Sequence, residues 1–175
     1  MIKRILVGMS ILVLSSPVEA KEIIIDLKTQ RLTAKNDNGK VFLRSDVSTG
    51  TNSHPTPVGK WSIYAKVKDN KSTLYPVHKD GSRGGAKMPY TLRVVGAVAI
   101  HQGYIPRFMG KAYPDSHGCI RVPRGVAKKL YYWTSVGTKV RINGSAPDSW
   151  NGDYQKAEVR HLRFNVSDYD YMEEL

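Results

Sequence analysis

The chain has 175 residues, with 27 lysines and arginines against 15 aspartates and glutamates, a formal net charge of +12 and one cysteine. A single cysteine excludes an internal disulfide framework, and the length fits one domain with enough chain to bury a core. Apolar residues make up 41% of the chain, yet no run after the N-terminus approaches the ~20 residues of a membrane-spanning helix.

Lys3 and Arg4 precede an apolar run from Ile5 to Leu14, broken only by Gly8 and Ser10. Val18-Glu19-Ala20 follows as a small-x-small cleavage pattern ahead of Lys21. Residues 1–20 therefore read as an export signal rather than a buried first element, and the mature chain is expected in the periplasm or cell-wall space, with no transmembrane segment. No cysteine beside the cleavage site offers a lipid anchor.

The body from residue 21 to 145 reads as mainly β. Glu22 to Leu27 and Arg31 to Lys35 are short strands around Lys28-Thr29-Gln30. Asn36-Asp37-Asn38-Gly39 predicts a hairpin turn into a strand over Val41 to Val47. Trp61 to Val67 alternates apolar and polar residues and predicts one strand. Tyr90 to His101 holds the most apolar run and predicts a central strand or strand pair buried on both sides. One helix is expected near Pro123, which suits a first turn, with Val126, Leu130 and Trp133 on one face and Gly137 as its cap. Lys139 to Ile142 is the last strand.

Two long loops remain. Asp69 to Pro89 is rich in glycine and proline, and Tyr104 to Asp115 in aromatics and prolines; loops of this length are commonly functional. Charge is uneven along the chain. Residues 21–145 hold 22 Lys and Arg against 7 Asp and Glu, a balance of +15, and residues 146–175 hold 3 against 7, a balance of −4. A basic body suits a polyanionic neighbour, and export excludes nucleic acid in favour of wall polymers or lipid. The acidic tail reads either as disordered or as lying across the basic body, where it would moderate activity.

The chemistry-bearing segment is Ser116-His117-Gly118-Cys119-Ile120-Arg121, with His101 upstream. A lone thiol in an oxidising compartment implies use, and thiol plus imidazole is the equipment of cysteine acyl transfer. Gly118 permits a tight turn that presents the thiol, and the Cys119 N–H is a candidate oxyanion donor. Arg121 carries the planar fork that matches a substrate carboxylate. A zinc site would have to recruit His54, His78 or His161 beside Cys119, His117 and His101; only His117-Gly118-Cys119 has short ligand spacing, so no metal and no other cofactor is expected.

His101-x-Gly103, with fourteen residues between His101 and the Ser116 of Ser-His-Gly-Cys-Ile-Arg, resembles the signature of the L,D-transpeptidase catalytic domain (YkuD-type), a family of cell-wall cysteine transpeptidases. Val47-Ser48-Thr49-Gly50, Thr56-Pro57-x-Gly59-Lys60-Trp61 and Met88-Pro89-Tyr90 resemble further segments of that family, over Glu22 to Ile142. The resemblance implies a β-sandwich with one helix after the catalytic motif. It implies Cys119 as nucleophile, His101 as general acid/base and His117 as an assisting imidazole. Ser116 and Gly118 would shape the turn and oxyanion pocket; Arg121, Tyr90 and Gly103 would face the donor peptide.

The implied reaction joins peptidoglycan stems. Cys119 takes the acyl group of a tetrapeptide stem, D-Ala leaves, and an amine of a second stem accepts. Water as acceptor would give an L,D-carboxypeptidase or related hydrolase, and a non-enzymatic wall binder is the remaining alternative. No segment resembles an appended wall-binding module, so targeting is expected from the charge of the body, and the protein is expected to act as a monomer. The Arg107-Phe108-Met109-Gly110-Lys111 stretch departs from the family in being longer and more basic than a simple loop.

Overall fold

A computed structural model of the protein describes residues 20–76 and 78–146. Apart from Ala20 and Ala146, the expected export signal and acidic tail lie outside the described residues. In chain order the elements are β1 (Glu22–Asp26), β2 (Arg31–Lys35), β3 (Val41–Asp46), β4 (Gly59–Ser62), β5 (Ala65–Lys71), β6 (Lys87–Val95), β7 (Val98–Gln102), β8 (Arg107–Phe108), β9 (Lys111–Ala112), β10 (Ile120–Val122), α1 (Arg124–Trp133) and β11 (Lys139–Asn143). Among the described residues no helix is long and apolar enough to cross a membrane.

Alternation builds the first sheet. In the β1–β2 hairpin Ile23 lies opposite Ala34 and Ile25 opposite Leu32, all fully buried. Asp26 closes the turn by accepting the N–H groups of Lys28 and Thr29 at 2.9 and 3.1 Å. The Asn36–Gly39 turn forms as predicted: Gly39, at φ +74°, donates its N–H to the Asn36 carbonyl. β11 returns to lie parallel to β1, with Val140 beside Ile23 and Ile142 beside Ile25, and β4 pairs with its other edge. The order is β3-β2-β1-β11-β4.

The second sheet runs β10-β7-β6-β5. Ile100 of β7 pairs with Leu92 of β6 and with Ile120 of β10, and all three join Val122, Ala127 and Leu130 in one core with the buried residues of the first sheet. This is the expected β-sandwich with a helix after the motif. α1 has Pro123 at its N-cap, whose carbonyl accepts the Ala127 N–H at 2.8 Å. Its far end is pinned to the β2–β3 hairpin, where Trp133 stacks on Phe42 and donates its ring N–H to Asn36 Oδ1.

Three expectations are corrected. Trp61 to Val67 is not one strand but a corner between the two sheets: the Ile63 N–H donates to Thr138 and the Tyr64 N–H to Arg93. The alternation persists because Ile63 is buried at the turn-over, so period alone does not reveal the change of partner. Of the two readings of Tyr90 to His101 the strand pair is the one that forms, a hairpin turned at Gly96 with φ +51°. Gly137, at φ +91°, closes a turn after the helix, while Thr134 is its C-cap. The loop ahead of the motif carries the small β8–β9 hairpin, and Asp46 pairs with Arg107 at its base.

Leu130 is fully buried where α1 meets the core. Leu130→Ala should lower stability by about 2–5 kcal/mol, read as a shift in the urea unfolding midpoint. A loss below about 1 kcal/mol would show that the helix contributes little packing.

Candidate active site

Cys119 sits at the end of a turn that begins at Ser116, one residue before β10. Gly118 has φ +104°, a conformation that glycine alone adopts without strain. The Ser116 hydroxyl donates to the Cys119 carbonyl at 2.5 Å and accepts the Gly118 N–H at 3.2 Å, so one side chain ties both ends of the turn. Among the described residues no hydrogen bond uses the Cys119 N–H.

A second segment, Ser48 to Thr56, braces this turn. The Thr49 carbonyl accepts the N–H groups of Asp115 and Ser116 at 3.1 and 3.0 Å, and the Ser116 carbonyl accepts from Thr51. Ser48 and Arg121 exchange backbone hydrogen bonds at 3.0 and 2.9 Å. Thr56 donates its hydroxyl to the Gly118 carbonyl and accepts the Gly50 N–H, both at 2.8 Å. A Cβ on Gly50 would come within 2.1 Å of the His54 carbonyl oxygen and 2.9 Å of Gly118 Cα, so only glycine fits there. Behind the brace, fully buried Gln30 accepts the Thr49 N–H at 2.9 Å and donates to Thr49 Oγ1 and the Leu27 carbonyl at 2.7 Å.

Register decides which side chains share a face. Ile120 pairs with Ile100 and both enter the core, so Arg121 and its partner His101 face the other way. Alternation puts Cys119 and Ala99 on that same outer face, with Arg93 opposite Ala99 on the next strand. Cys119 and His101 are thus diagonal neighbours on adjacent strands, within reach of long side chains.

His101 is 8% exposed, and its Nδ1 lies 2.6 Å from the Gln102 carbonyl. Nδ1–H is the donor to that oxygen, which leaves Nε2 as the basic nitrogen. Burial lowers the imidazole pKa to about 4; the Gln102 hydrogen bond opposes this, and Arg121 and Arg93 add to it. Burial also pushes the Cys119 thiol up, against a backbone hydrogen bond from Ala99 and the charges of Arg93 and Arg121. At neutral pH the resting pair is a neutral thiol and a neutral imidazole. The thiol sulfur is 3.8 Å from the Ala97 carbonyl oxygen, which accepts from it.

The other expected residues separate. His117 is exposed, stacked on Tyr75 at 4.0 Å between ring centroids and edge-on to His54 at 4.7 Å. Burial and His54 lower its pKa. Arg121 is 15% exposed and pairs with Asp115 at 2.5 Å, so its fork faces a carboxylate of its own chain. Gly103 abuts the Arg121 stem: a Cβ there would come within 2.7 Å of Cδ. Tyr90 packs against Tyr131 and Tyr132 of α1. Sequence reasoning has no part for Arg93, Gln30, Thr56 or Tyr75. Gln30 and Arg93 carry no local signal, whereas Ser48, Thr49 and Thr56 lie in segments already noted for their resemblance.

Comparison with known proteins gives a consistent set of matches. Residues 20–142 match the model of the L,D-transpeptidase catalytic domain (YkuD). The isolated catalytic domain of an Enterococcus faecium L,D-transpeptidase aligns at 28% identity and TM-score 0.58, over 73% of this chain and 100% of that one. A Stackebrandtia nassauensis L,D-transpeptidase aligns at 26% identity and TM-score 0.58, over 74% of this chain and 59% of that one. A Mycobacterium smegmatis L,D-transpeptidase shares the fold at 24% identity and TM-score 0.59, over 71% and 58%. The chain thus spans a little over half the length of the latter two. No curated protein matches it.

Two outcomes follow from this geometry. Because burial raises the thiol pKa, Cys119 stays protonated past the usual range, so its alkylation by iodoacetamide should rise with a midpoint above the ordinary value of about 8.5. A plateau already reached at pH 6 would indicate a standing thiolate and contradict the neutral pair. Gly50→Ala should slow that alkylation severalfold or destabilise the fold by over about 1 kcal/mol, although Gly50 touches no reacting atom. Unchanged rate and unchanged unfolding midpoint would show that the brace is dispensable.

Proposed function

The chain belongs to the L,D-transpeptidase catalytic-domain family, and from that premise we propose that it cross-links peptidoglycan stems through a Cys119 thioester. The observation that carries this reading is the half-buried thiol on a braced turn, sharing one sheet face with a buried, neutral His101. A tetrapeptide stem enters with the carbonyl of its third residue, a diaminopimelate or equivalent, against the sulfur. The thiol proton passes to His101 Nε2 as the sulfur attacks that carbonyl carbon. The unpaired Cys119 N–H takes the developing oxyanion, and the rigid Ser116–Gly118 turn holds that donor in place.

Collapse of the tetrahedral intermediate breaks the amide C–N bond. The proton on His101 goes to the departing nitrogen, and D-Ala leaves. The side-chain amine of a second stem then attacks the thioester, gives a proton to His101, and expels the sulfur, which recovers that proton. The imidazole therefore cycles once per half-reaction and ends neutral. A group whose pKa is near 4 returns its proton readily, which suits the acid role in each collapse. His117, stacked on Tyr75, forms a wall of the cleft and orients the acyl chain rather than exchanging the thiol proton. The basic body favours an acidic wall polymer as the setting for both stems. Such a setting lies outside the cytoplasm, in keeping with the expected signal.

Purified tetrapeptide muropeptides incubated with the mature protein should give dimers and free D-Ala by mass spectrometry. Cys119→Ala should abolish both, a loss of at least about a thousandfold. Trimmed monomers without dimers would replace the transfer reading with hydrolysis. Full activity in Cys119→Ala would remove the covalent mechanism altogether.

A further inference from the structure

We propose that Arg93, and not Arg121, binds the C-terminal carboxylate of the donor stem, the carboxylate of the D-Ala that leaves. This rests on the reading of Cys119 as the nucleophile toward that stem, and deepens it by assigning the group that recognises the free end of the donor.

Position is the first argument. Arg93 stands on β6 opposite Ala99 of β7, and Cys119, one residue before β10, falls beside Ala99 on the other side when the Ile120–Ile100 register is extended by one position. Three adjacent strands therefore carry Cys119, Ala99 and Arg93 in one row on one face. At roughly 4.8 Å between strands, the two Cα atoms are about 10 Å apart. The side chain between them is that of Ala99, small and fully buried.

Distance is the second. The Arg93 Nη1 donates to the Ala97 carbonyl oxygen at 3.3 Å, and the Cys119 sulfur lies 3.8 Å from the same oxygen. Nitrogen and sulfur are thus separated by no more than the sum of those two contacts. A scissile carbonyl within about 3.5 Å of sulfur is followed by one further residue. One extended residue spans about 3.5 Å, so the terminal carboxylate of that residue falls in the range of the guanidinium.

Availability is the third. Arg121 has its Nη2 on Asp115 and on Ser48 and its stem against Gly103, while its buried Nε has no partner among the described residues. Asp115 already holds the Nη2 of Arg121 at 2.5 Å, so a ligand carboxylate there would compete with a charge of the same sign. Arg93 is half-buried and has no carboxylate partner among the described residues. The one hydrogen bond of its side chain among the described residues, to a neutral carbonyl at 3.3 Å, is long, and a carboxylate would exchange for it with a stronger, charge-assisted pair.

The proposal distinguishes donors by their terminus. Stems ending in D-Ala carboxylate and stems ending in the D-alaninamide are compared by kcat/KM for release of the terminal residue. The wild-type protein should prefer the carboxylate roughly tenfold or more, the effect of one charge-assisted hydrogen bond. Arg93→Met should reduce that preference to within twofold, and Arg93→Lys, which keeps the charge but not the fork, should fall between. Each ratio is internal to one variant, so a change in folding or in thiol reactivity divides out. As a second readout, Cys119 alkylation by iodoacetate relative to iodoacetamide should drop at least threefold in Arg93→Met. Full carboxylate preference and an unchanged alkylation ratio in Arg93→Met would overturn the assignment. If the wild-type protein releases neither product, the transpeptidase reading fails, and the alkylation ratio alone still decides whether Arg93 draws a carboxylate to the thiol.

Discussion

The site depends on the Thr49 carbonyl, which accepts two N–H groups from the segment that leads into Cys119. The turn from Ser116 to Cys119 has glycine at its centre and no regular ladder of its own, so its position has to be imposed from outside. Ser48 to Thr56 imposes it with backbone hydrogen bonds, a threonine hydroxyl on the Gly118 carbonyl, and the close approach of Gly50. Gln30 extends the brace to the β1–β2 turn, with three hydrogen bonds inside a region closed to water. Buried polar groups cost free energy unless paired, and here each pairing also fixes one conformation. The thiol is therefore located by the first sheet's turns as much as by the strand it precedes.

Much of this is legible in the chain, because local chemistry determines it. The Ser-His-Gly-Cys motif, the Asn36–Gly39 hairpin and the helix after Pro123 are read from residue types at short spacing, and all three stand where those types require. Trp61 to Val67 misleads because Ile63 is buried at the corner between β4 and β5, which keeps the alternation of Trp61 to Tyr64 while the backbone partners change sheet. Arg121 does meet a carboxylate, but it is that of Asp115, six positions earlier, and spacing through a loop does not show which fork meets which acid. Arg93 is invisible for a different reason. Its nearness to Cys119 arises from the register of three strands, and no segment of the sequence carries that register.

Electrostatics around the thiol oppose one another, and burial outweighs the rest. Arg93 and Arg121 both favour a thiolate, as does the hydrogen bond from Ala99, yet the thiol is pushed up rather than down. The same two arginines disfavour an imidazolium, and there they act with burial, so His101 drops to about 4. A pair held neutral in this way has no standing ion pair for an unproductive electrophile to meet. Its proton moves, on the proposed reading, only when a carbonyl is in place to accept the sulfur. On the proposed reading, the site is quiet until the donor stem completes it.

Two arginines flank the thiol, and their surroundings give them unlike tasks. Arg121 is closed by Asp115 and fitted against Gly103, and its backbone is exchanged with Ser48, so it belongs to the scaffold and acts on the site through its field. Arg93 shares that field but keeps its fork half-exposed beside the one carbonyl that the sulfur also contacts. A charge already neutralised by its own chain gives little to a ligand, whereas one resting on a neutral carbonyl gains from exchanging it. On the proposed reading, recognition of an anionic terminus falls to an arginine that the sequence motif does not contain, so the motif alone points to the proposed nucleophile and not to the group that would read the donor's end.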